Sequence, residues 1–591
     1  MNNFLRVLTL TVLCASFLMA QKDTVDVLDV YDTGSEGTLN TAIDAKITAG
    51  TLSNTVFRLK PYGLYPLSGA VIIPAGQTLE IIAAAPGATQ LTAPPMICWT
   101  ASTAPDKRYN FDVAGQLIMK NVWIQYASAD GTRYGSSIRV GDSSSVSGGR
   151  CEFDNVIIDY SICPQNASGA VEIFATNFKG IFKNCYFRNC TDDHFRYYGR
   201  ALSFRYSSTG LHADSVFFEN CTFANAGYVY MQEGAEYGDN VFFNHCTFYN
   251  IVMFTLESGW WHKMYVTNSL FHNTFMFGAI PVNDGEGFGG TINIAPVDSF
   301  GFAVPFTEQD RRILFANNNY FVDQWLVDWM GWGPNGNPYS QDRHMNRKDN
   351  EIPVPMPMMN GDTRRFFDST DGGGAKVFPY MNSANLDSLD PGFLNPPLNK
   401  DSLKIFLWYK WWNNADCNWA WKPANGYTQI WPVEESLTYT NAELKTAALG
   451  GFPLGDLYRW WPAEYASWKA QKDAEYVVIY NALENGDMSG IVSGIEPKPG
   501  GTVPSEYELS QNYPNPFNPT TQIDFSVPVS GFVSLKVYNS LGQVVATIFE
   551  GHQQAGAYTV TFDGSGLSSG VYLYQLQSGS VALTQKLVIL K

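Results

Sequence analysis

Three charged residues that end short apolar segments are the first candidates for chemistry in this sequence. Arg205, Glu233 and Glu257 each close a segment of alternating apolar residues, at 201–205, 229–233 and 254–257. Aligning the segments by their ends places the three side chains at equivalent positions on successive parallel strands, about 4.8 Å apart. The alignment predicts two stacked carboxylates beside a guanidinium.

Such a stack has a defined chemical use. Glu233 and Glu257 can bind Ca²⁺, which neutralises a uronic acid carboxylate and makes the proton on the adjacent carbon more acidic. Arg205, or Lys263 shortly after Glu257, can then abstract that proton and start a β-elimination. The same carboxylates can instead act as acid and base of a glycoside hydrolase, where their short separation favours a retaining mechanism. The alternative without chemistry is a ladder of salt bridges on a solvated face.

Aromatic residues next to Glu257 are candidate contacts for a sugar. Trp260, Trp261 and His262 follow it closely, and large aromatic rings bury much area when a flat ligand packs on them. Twelve of the 16 tryptophans lie between Trp325 and Trp468 and can extend this surface. The alternative is that most of them pack long loops onto the body of the protein.

The elements that must position these residues form an irregular repeat. Each copy has alternating apolar residues, a central polar residue and alternating apolar residues again, as in Phe182–Phe187. The central residues are Asn121, Asn155, Asn184, Asn220, His245, Asn268 and Asn318. This pattern predicts two strands joined by a tight bend, because asparagine tolerates left-handed backbone and can hydrogen-bond to its neighbour one coil away. Loops of unequal length explain the variable spacing.

The ladder of Asn-Cys-x-Phe at Asn184 and Asn220, continued by His245 and Asn268, resembles right-handed parallel β-helices of the pectate-lyase-like superfamily. The resemblance covers roughly residues 25 to 325. It implies a mainly β fold, and the lyases of this superfamily use Ca²⁺-assisted elimination. An amphipathic segment at 37–45 then predicts a helix that covers the open end of the β-helix. The rival fold is a β-sandwich, which also uses short strands and turns.

Composition and the N-terminus indicate an exported protein. A net charge of −17 disfavours nucleic acid as a partner, because an acidic surface repels phosphate. Residues 1–20 combine Arg6, an apolar run and the small residue Ala20, which predicts a signal peptide. That apolar run is too short to cross a bilayer, and no later segment is long and apolar enough to do so.

The rest of the chain divides by composition. Residues 21–325 are predicted to form the β-helix, and residues 326–490 a tryptophan-rich extension whose late helices pack on it. Those helices are expected near Asn441–Leu449 and Pro462–Glu484. Residues 491–505, rich in proline and glycine, predict a linker, and residues 506–591 a separate C-terminal domain.

The C-terminal domain carries a second resemblance. The run Gln511–Pro519, with the sequence QNYPNPFNP, and the ending Gln585–Lys591 are similar to the sorting domains of type IX secretion substrates. That resemblance implies a small Ig-like β-sandwich, the type IX secretion machinery as a partner, and a secreted or outer-membrane surface location. Two functions remain open for the body: binding or lyase-like degradation of acidic polysaccharide, and a non-catalytic adhesin, glycan-binding or structural role.

Overall fold

The computed structural model contains a long parallel β-helix followed by a C-terminal antiparallel domain. The structure describes residues 22–99, 109–128, 137–141, 147–161, 169–191, 199–204, 211–232, 236–257, 259–276, 290–299, 304–330, 357–386, 388–411, 430–491, 495–497, 504–528, 531–553, 556–579 and 581–591. The predicted signal peptide lies outside these residues, as do Arg205 and Glu233.

The strands of the β-helix are short and follow one another in sets of three. In chain order they are β1 Asp23–Val27, β2 Thr55–Leu59, β3 Leu64–Leu67, β4 Val71–Ile73, β5 Thr78–Ala83, β6 Met96–Trp99, β7 Phe111–Val113, β8 Gln116–Lys120, β9 Trp123–Ser128, β10 Ile138–Val140, β11 Arg150–Asp154, β12 Ile157–Asp159, β13 Gly169–Ile173, β14 Phe178–Lys183, β15 Tyr186–Arg188, β16 Arg200–Phe204, β17 His212–Glu219, β18 Thr222–Ala226, β19 Tyr228–Met231, β20 Tyr237–Asn244, β21 Thr247–Ile251, β22 Leu256–Glu257, β23 Trp261–Thr267, β24 Leu270–Thr274, β25 Arg312–Ala316, β26 Asn319–Phe321 and β27 Met381–Ala384.

These strands form three parallel sheets, which confirms the β-helix prediction. Sheet A has the order β1-β2-β5-β8-β11-β14-β17-β20-β23-β25-β27. Sheet B has the order β26-β24-β21-β18-β15-β12-β9-β6-β3, and sheet C has the order β22-β19-β16-β13-β10-β7-β4. One strand from each sheet makes a coil, so each sheet position recurs about every 4.8 Å along the axis.

The core consists of like residues stacked from coil to coil. Phe187, Phe223, Phe248 and Phe271 form one column, with centroid separations of 5.0, 5.4 and 4.4 Å. Cys185, Cys221 and Cys246 form another buried column and are free thiols. Burial raises the pKa of Cys221 and Cys246, so these two thiols are structural groups rather than nucleophiles.

Left-handed residues at the bends explain the repeat. The central residues from Asn121 to Asn268, His245 included, all have φ between 51° and 58°. In the last coil the left-handed residue is Asn317, with φ 53°, so the prediction of Asn318 is wrong by one position. Thr267 pairs with Ala316, which places Asn317 opposite Asn268. The three consecutive asparagines at 317–319 made the two alignments indistinguishable by residue type.

A second asparagine ladder closes the other end of sheet B. Asn189, Asn225, Asn250 and Asn273 have φ between 50° and 57°, and each follows a central residue by five positions. Asn225 donates to Asn189, Asn250 to Asn225 and Asn273 to Asn250, at 3.2–3.3 Å. The second bend of sheet B is therefore held by side-chain amides in these coils.

Helices cap and flank the β-helix. They are α1 Val30–Thr33, α2 Thr38–Thr48, α3 Gln324–Met330, α4 Gly361–Asp368, α5 Lys400–Trp411, α6 Leu457–Trp460 and α7 Pro462–Asn485. Three 3₁₀ turns lie at Leu52–Asn54, Gln90–Thr92 and Val297–Ser299. Helix α2 buries Leu39 and Ile43 in the β-helix core. The helix predicted near residues 441–449 is wrong, because that segment forms turns.

Residues after the β-helix pack against its outer faces. Leu403, Phe406 and Leu407 of α5 share a buried cluster with Tyr228 and Met231 of sheet C. The long helix α7 lies on sheet A, where Ile479, Ala482 and Leu483 pack with Tyr265 and Leu314. A two-stranded antiparallel sheet, β28 Phe393–Asn395 with β29 Ser436–Tyr439, lies in the same region. Trp460 and Trp468 are buried in these contacts.

Asp456 anchors the extension to sheet B. It is fully buried and caps α6, where its Oδ1 accepts from the backbone N–H of Arg459 at 3.0 Å. Its Oδ2 accepts from the hydroxyl of Thr222 at 2.7 Å, and its own N–H donates to Thr247 at 2.9 Å. Burial raises the pKa of Asp456 to about 6, above its ordinary 3.8, because the loss of solvent outweighs the opposing charge of Arg459 and the hydrogen bonds that Asp456 accepts.

Asp456→Asn is expected to flatten part of the pH dependence of stability. The folded protein holds the Asp456 proton more tightly than the unfolded chain, so the contribution of Asp456 to wild-type stability falls as pH rises from about 4 to about 6. The asparagine variant lacks this titration, and its stability relative to wild type should rise by as much as about 3 kcal/mol across that window. Urea unfolding at several pH values measures the difference. An unchanged difference would contradict the prediction, and exposed Asp473→Asn is the matched control.

The C-terminal domain is an antiparallel sandwich. Its strands are β30 Ile495–Pro497, β31 Glu508–Leu509, β32 Thr520–Val527, β33 Gly531–Tyr538, β34 Val544–Gln553, β35 Gly556–Asp563, β36 Gly570–Ser578 and β37 Val581–Ile589. They form two four-stranded sheets, β30-β35-β32-β31 and β34-β33-β36-β37, around one shared core. β30 pairs with β35, so the sandwich begins inside the segment expected to be a linker.

Candidate functional site

A β-bulge near the N-terminal end of β17 in sheet A changes the direction of polar side chains in three consecutive coils. Phe178 pairs with Ala213, but Lys179 pairs with Ser215, so Asp214 is an extra residue in β17. β-Bulges occur preferentially beside active sites because they redirect a side chain. The next two coils keep the insertion. The pairs Ala213–Gly238 and Val216–Val241 place Asp239 opposite Asp214, and the pairs Gly238–Trp261 and Asn240–Lys263 place His262 opposite Asp239.

The bulge side chains lie on the outside of the β-helix. Their neighbours Ala213, Val216, Val241 and Trp261 belong to the core. The side chain of Asp214 is 42% exposed and that of Asp239 is 27% exposed, so both can meet a ligand without leaving the sheet. Two carboxylates and one imidazole therefore form a line along the helix axis, at successive coils.

Four rings flank this line and are called the ring wall: His212, Tyr237, His262 and Phe306. His212 stacks on Tyr237 with centroids 4.9 Å apart and planes 7° apart. Phe306 contacts Tyr237 edge to face at 5.9 Å and stacks on His262 at 4.8 Å. His212, Tyr237 and His262 are half-buried and Phe306 is buried behind them, so the wall presents three ring edges beside charged groups, an arrangement suited to a partly apolar, partly polar ligand.

A line of polar residues runs along the outer face of sheet A beside the bulge. This polar strip follows the paired positions Arg150, Lys179, Ser215, Asn240, Lys263 and Arg312. Helix α7 covers the other half of the face, with Glu484 at its edge. The Nζ of Lys263 lies 2.5 Å from Oε1 of Glu484, and Nζ of Lys179 lies 3.1 Å from Oδ2 of Asp214. The strip is thus bounded by the helix on one side and by the ring wall on the other.

Burial and neighbouring charges shift the pKa values of two groups of the bulge in opposite directions. Partial burial raises the pKa of Asp239. The imidazole of His212, whose Nε2 lies 3.7 Å from Oδ2 of Asp239, opposes this rise, and the charge of Asp214 adds to it. Partial burial and the charge of Lys263 lower the pKa of His262, which favours its neutral form. His212 is fixed by a 2.8 Å hydrogen bond between Nδ1 and the hydroxyl of Thr176. The bulge therefore holds a carboxyl whose pKa is raised and an imidazole whose pKa is lowered, both chiefly by partial burial.

Two of the aromatic residues expected to bind sugar have different environments. Trp261 is fully buried in the β-helix core, so its ring cannot stack on a sugar, and the prediction for this residue is wrong. The alternation of the strand turns it inward, opposite Gly238. Trp260 is half-buried, and its indole N–H lies 3.3 Å from the carbonyl oxygen of Pro296 and from Oγ of Ser299. His262 does lie in the candidate site.

The expected carboxylate stack has a different register. Glu257 pairs with Met231, two positions before Glu233, so the alignment of Glu257 with Glu233 is wrong. The coil that carries Glu257 has an extra residue before sheet C and a shorter connection after it, so aligning the segments by their ends does not give the register of the strands. Lys263 lies in sheet A whereas Glu257 lies in sheet C. Arg205 and Glu233 lie outside the described residues.

Several residues of the site were not predicted from the sequence, among them His212, Asp214, Tyr237 and Asp239. A signal for them exists, because His-Ala-Asp-Ser-Val-Phe-Phe at 212–218 recurs as Tyr-Gly-Asp-Asn-Val-Phe-Phe at 237–243. The recurring ring and aspartate precede the strand that the repeat identifies. Within the described residues, no three Asp, Glu, His or Cys side chains converge as a cation site requires.

Comparison with known families identifies the C-terminal domain. Residues 511–590 match the family model of the secretion system C-terminal sorting domain. The protein is therefore exported to the cell surface or beyond, and the type IX secretion machinery is a partner of its C-terminal domain. No curated protein and no solved structure matches the chain. In the part of the chain that the structure describes, no helix has the length and apolar character of a membrane span.

Proposed function

We propose that the protein is a surface glycan-binding protein that holds an acidic polysaccharide along the polar strip. The observation that carries the proposal is the alignment of the strip and the ring wall on adjacent positions of the same coils. A polymer lying parallel to the helix axis meets a similar set of groups about every 4.8 Å. Export to the cell surface brings this face into contact with extracellular polymers.

The charges of the polar strip favour an acidic polymer. The protein as a whole carries −17, yet Arg150, Lys179, Lys263 and Arg312 follow one line. Basic side chains form charge-assisted hydrogen bonds to carboxylates, and each such bond is stronger than a bond between neutral groups. The intervening Ser215 and Asn240 add neutral donors and acceptors for hydroxyl groups. Binding should therefore weaken as the salt concentration rises.

Tyr237→Ala is expected to weaken binding of the polymer roughly 2- to 12-fold, the range that corresponds to one aromatic stacking contact. Tyr237 is the middle ring of the wall, so the substitution also removes the contacts that it makes with His212 and Phe306. Calorimetric titration with polygalacturonate, alginate and hyaluronan measures the change, with dextran as the neutral polymer. Tyr31→Ala is the control, since Tyr31 is 65% exposed in α1, away from this face.

The same titration separates the outcomes. Equal binding of dextran and the acidic polymers would contradict the charge argument, and no binding of any polymer would contradict the proposed function. Runs with and without Ca²⁺ test the calcium-assisted lyase expected from the sequence, for which the structure describes Glu257, Trp260, His262 and Lys263 outside the buried core. Release of unsaturated uronic acids that depends on Ca²⁺ would replace the binding role by that activity.

A further inference from the structure

The four edge strands of the C-terminal sandwich differ in how they are protected against pairing with another chain. Three of them have the features that natural edges use for this purpose. Strand β31 has only two residues, β30 has three and contains Pro497, and β34 pairs with β33 through two register shifts. The fourth edge strand is β37, which pairs with β36 over nine residues in one continuous register. In the sandwich as the structure describes it, β37 is therefore the one long and regular edge.

The motif at the start of the sorting domain covers one end of this edge. The side-chain amides of Gln511 and Asn515 donate to the carbonyl oxygen of Lys586 at 2.6 and 3.1 Å. The N–H of Val588 donates to Oδ1 of Asn515 at 2.9 Å, and its carbonyl oxygen accepts from the N–H of Phe517 at 3.0 Å. In an antiparallel strand the N–H and C=O of one residue point to the same side. The even-numbered residues of β37 therefore turn their main-chain groups away from β36.

The other end of the edge is open. Ala582 and Thr584 are the even-numbered residues there, and both are exposed. Within the described residues, no hydrogen bond reaches the N–H or C=O groups that they turn away from β36. The segment Val581–Gln585, with the sequence VALTQ, also lacks the charged residues and proline that protect natural edges. An edge of this kind is a template for strand addition, in which main-chain hydrogen bonds supply the affinity.

The family match indicates which partner the open edge serves. The matched region begins at Gln511, in the motif that covers one end of β37, and it ends one residue after β37. The motif and the edge strand are thus the two ends of the matched region, and they contact each other. The secretion machinery is the partner of this domain, so the unprotected edge belongs to a surface that meets that machinery during export.

We propose that the type IX secretion machinery binds the C-terminal domain by adding an extended strand of its own to β37. The added strand pairs with the main-chain groups of Ala582 and Thr584, and the motif marks its end at Lys586. This recognition reads the backbone of the edge, which is why the segment needs a regular strand more than particular side chains. The inference concerns export and is independent of what the β-helix binds.

Thr584→Pro tests the proposal in a bacterium that exports the full-length protein through its own type IX machinery. Proline removes the N–H of this residue, and its ring obstructs an added strand, whereas the bonds to β36 remain because they belong to odd-numbered residues. The exported fraction should fall roughly 5- to 30-fold, the factor that corresponds to the loss of one or two main-chain hydrogen bonds. Thr584→Val is the matched control. It also loses the 3.0 Å bond from Gln575 to the threonine hydroxyl, but it keeps the N–H and should be exported like the wild type.

Measurements on the purified proteins separate lost recognition from lost folding. Far-UV circular dichroism and urea unfolding of Thr584→Pro should resemble those of the wild type. Leu583→Pro removes an N–H that faces β36 and is the reference for a misfolded domain. If Thr584→Pro also misfolds, Ala582→Lys takes its place, since it keeps every main-chain group and puts on the edge the charge that natural edges use against pairing. Its export should fall in the same direction.

A photo-crosslinking residue in place of Ala582 identifies what lies on the edge during export. Crosslinks to a component of the secretion machinery support the proposal, and the same residue in place of Thr561, which is exposed on the other sheet, is the control position. Crosslinks to a second copy of this chain alone, or no crosslink to the machinery, would overturn the proposal. Equal export of folded Thr584→Pro and Thr584→Val would overturn it as well.

Discussion

Replacement of Glu475 by alanine should lower the free energy of unfolding of the β-helix by about 3–5 kcal/mol, as for the loss of one partner in a buried charged network. The carboxylate of Glu475 enters the bend of the β-helix from α7 and is almost fully buried. It accepts hydrogen bonds from Asn244 at 2.7 Å, Trp468 at 2.9 Å and Asn268 at 3.3 Å. It also lies 3.3 Å from Nε2 of His245. Without it, the donors of Asn244 and Trp468 stay buried and lose this acceptor, whereas Asn268 keeps its 2.9 Å bond to Oδ1 of Asn244.

The effect should be specific to the buried carboxylate. Asp473→Ala, on the exposed face of the same helix, is the matched control and should change stability by less than about 0.5 kcal/mol. Glu475→Gln keeps the size but replaces one acceptor by a donor, so an intermediate loss is expected, and it remains measurable if the alanine variant fails to fold. Urea unfolding followed by far-UV circular dichroism measures all three. Equal stability of Glu475→Ala and Asp473→Ala would show that the network contributes nothing.

Arg188→Met is also expected to cost about 3–5 kcal/mol, because it leaves two buried carboxylates without their counter-charge. Arg188 in sheet B lies 2.7 Å from Asp159 and 2.5 Å from Glu435, whose side chains are 3% and 1% exposed. Its guanidinium also lies 5.2 Å from the ring of Trp123. Although burial alone would raise it, Arg188 holds the pKa of Glu435 below its ordinary value.

A compensated variant distinguishes charge from packing. Asp159→Asn and Glu435→Gln, added to Arg188→Met, remove the uncompensated charges and should restore part of the lost stability. Arg58→Met, which breaks an exposed ion pair with Asp26, is the control and should leave the stability almost unchanged. The same unfolding measurement applies. If the triple variant is less stable than Arg188→Met alone, loss of packing by the arginine outweighs the charge effect.

The repeat predicted the fold because its signal is local. Asparagine, replaced at one bend by His245, tolerates the left-handed backbone, and the apolar residues on either side alternate with the period of a strand. The sequence also carries the second ladder, five residues after the first, at Asn189, Asn225 and Asn250. Long helix α7 was predicted within one residue of its observed end, from Pro462 at its start and its helix-forming composition.

The candidate site was predicted only in part, because its register depends on loops. His262 and Lys263 were identified through their position after Glu257, and both lie on the outer face of sheet A. The partners of this face, Asp214 and Asp239, are set by one inserted residue that only strand pairing reveals. An error of one or two residues in the strand register moves a side chain along the strand or to the opposite face of the sheet. For this reason the predicted positions of Glu257 and Trp261 were wrong.

The sequence by itself determined where this protein acts and its architecture. The motif from Gln511 to Pro519 and the asparagine ladder are contiguous patterns, and each is fixed by the local backbone that it must adopt. The tertiary structure alone decided which charges meet. Glu475 reaches His245 across 230 residues and Glu435 reaches Arg188 across 247, and no local pattern encodes such a pairing. The line of Asp214, Asp239 and His262 likewise exists only because successive coils stack in one register, so the chemistry of this face is a property of the fold.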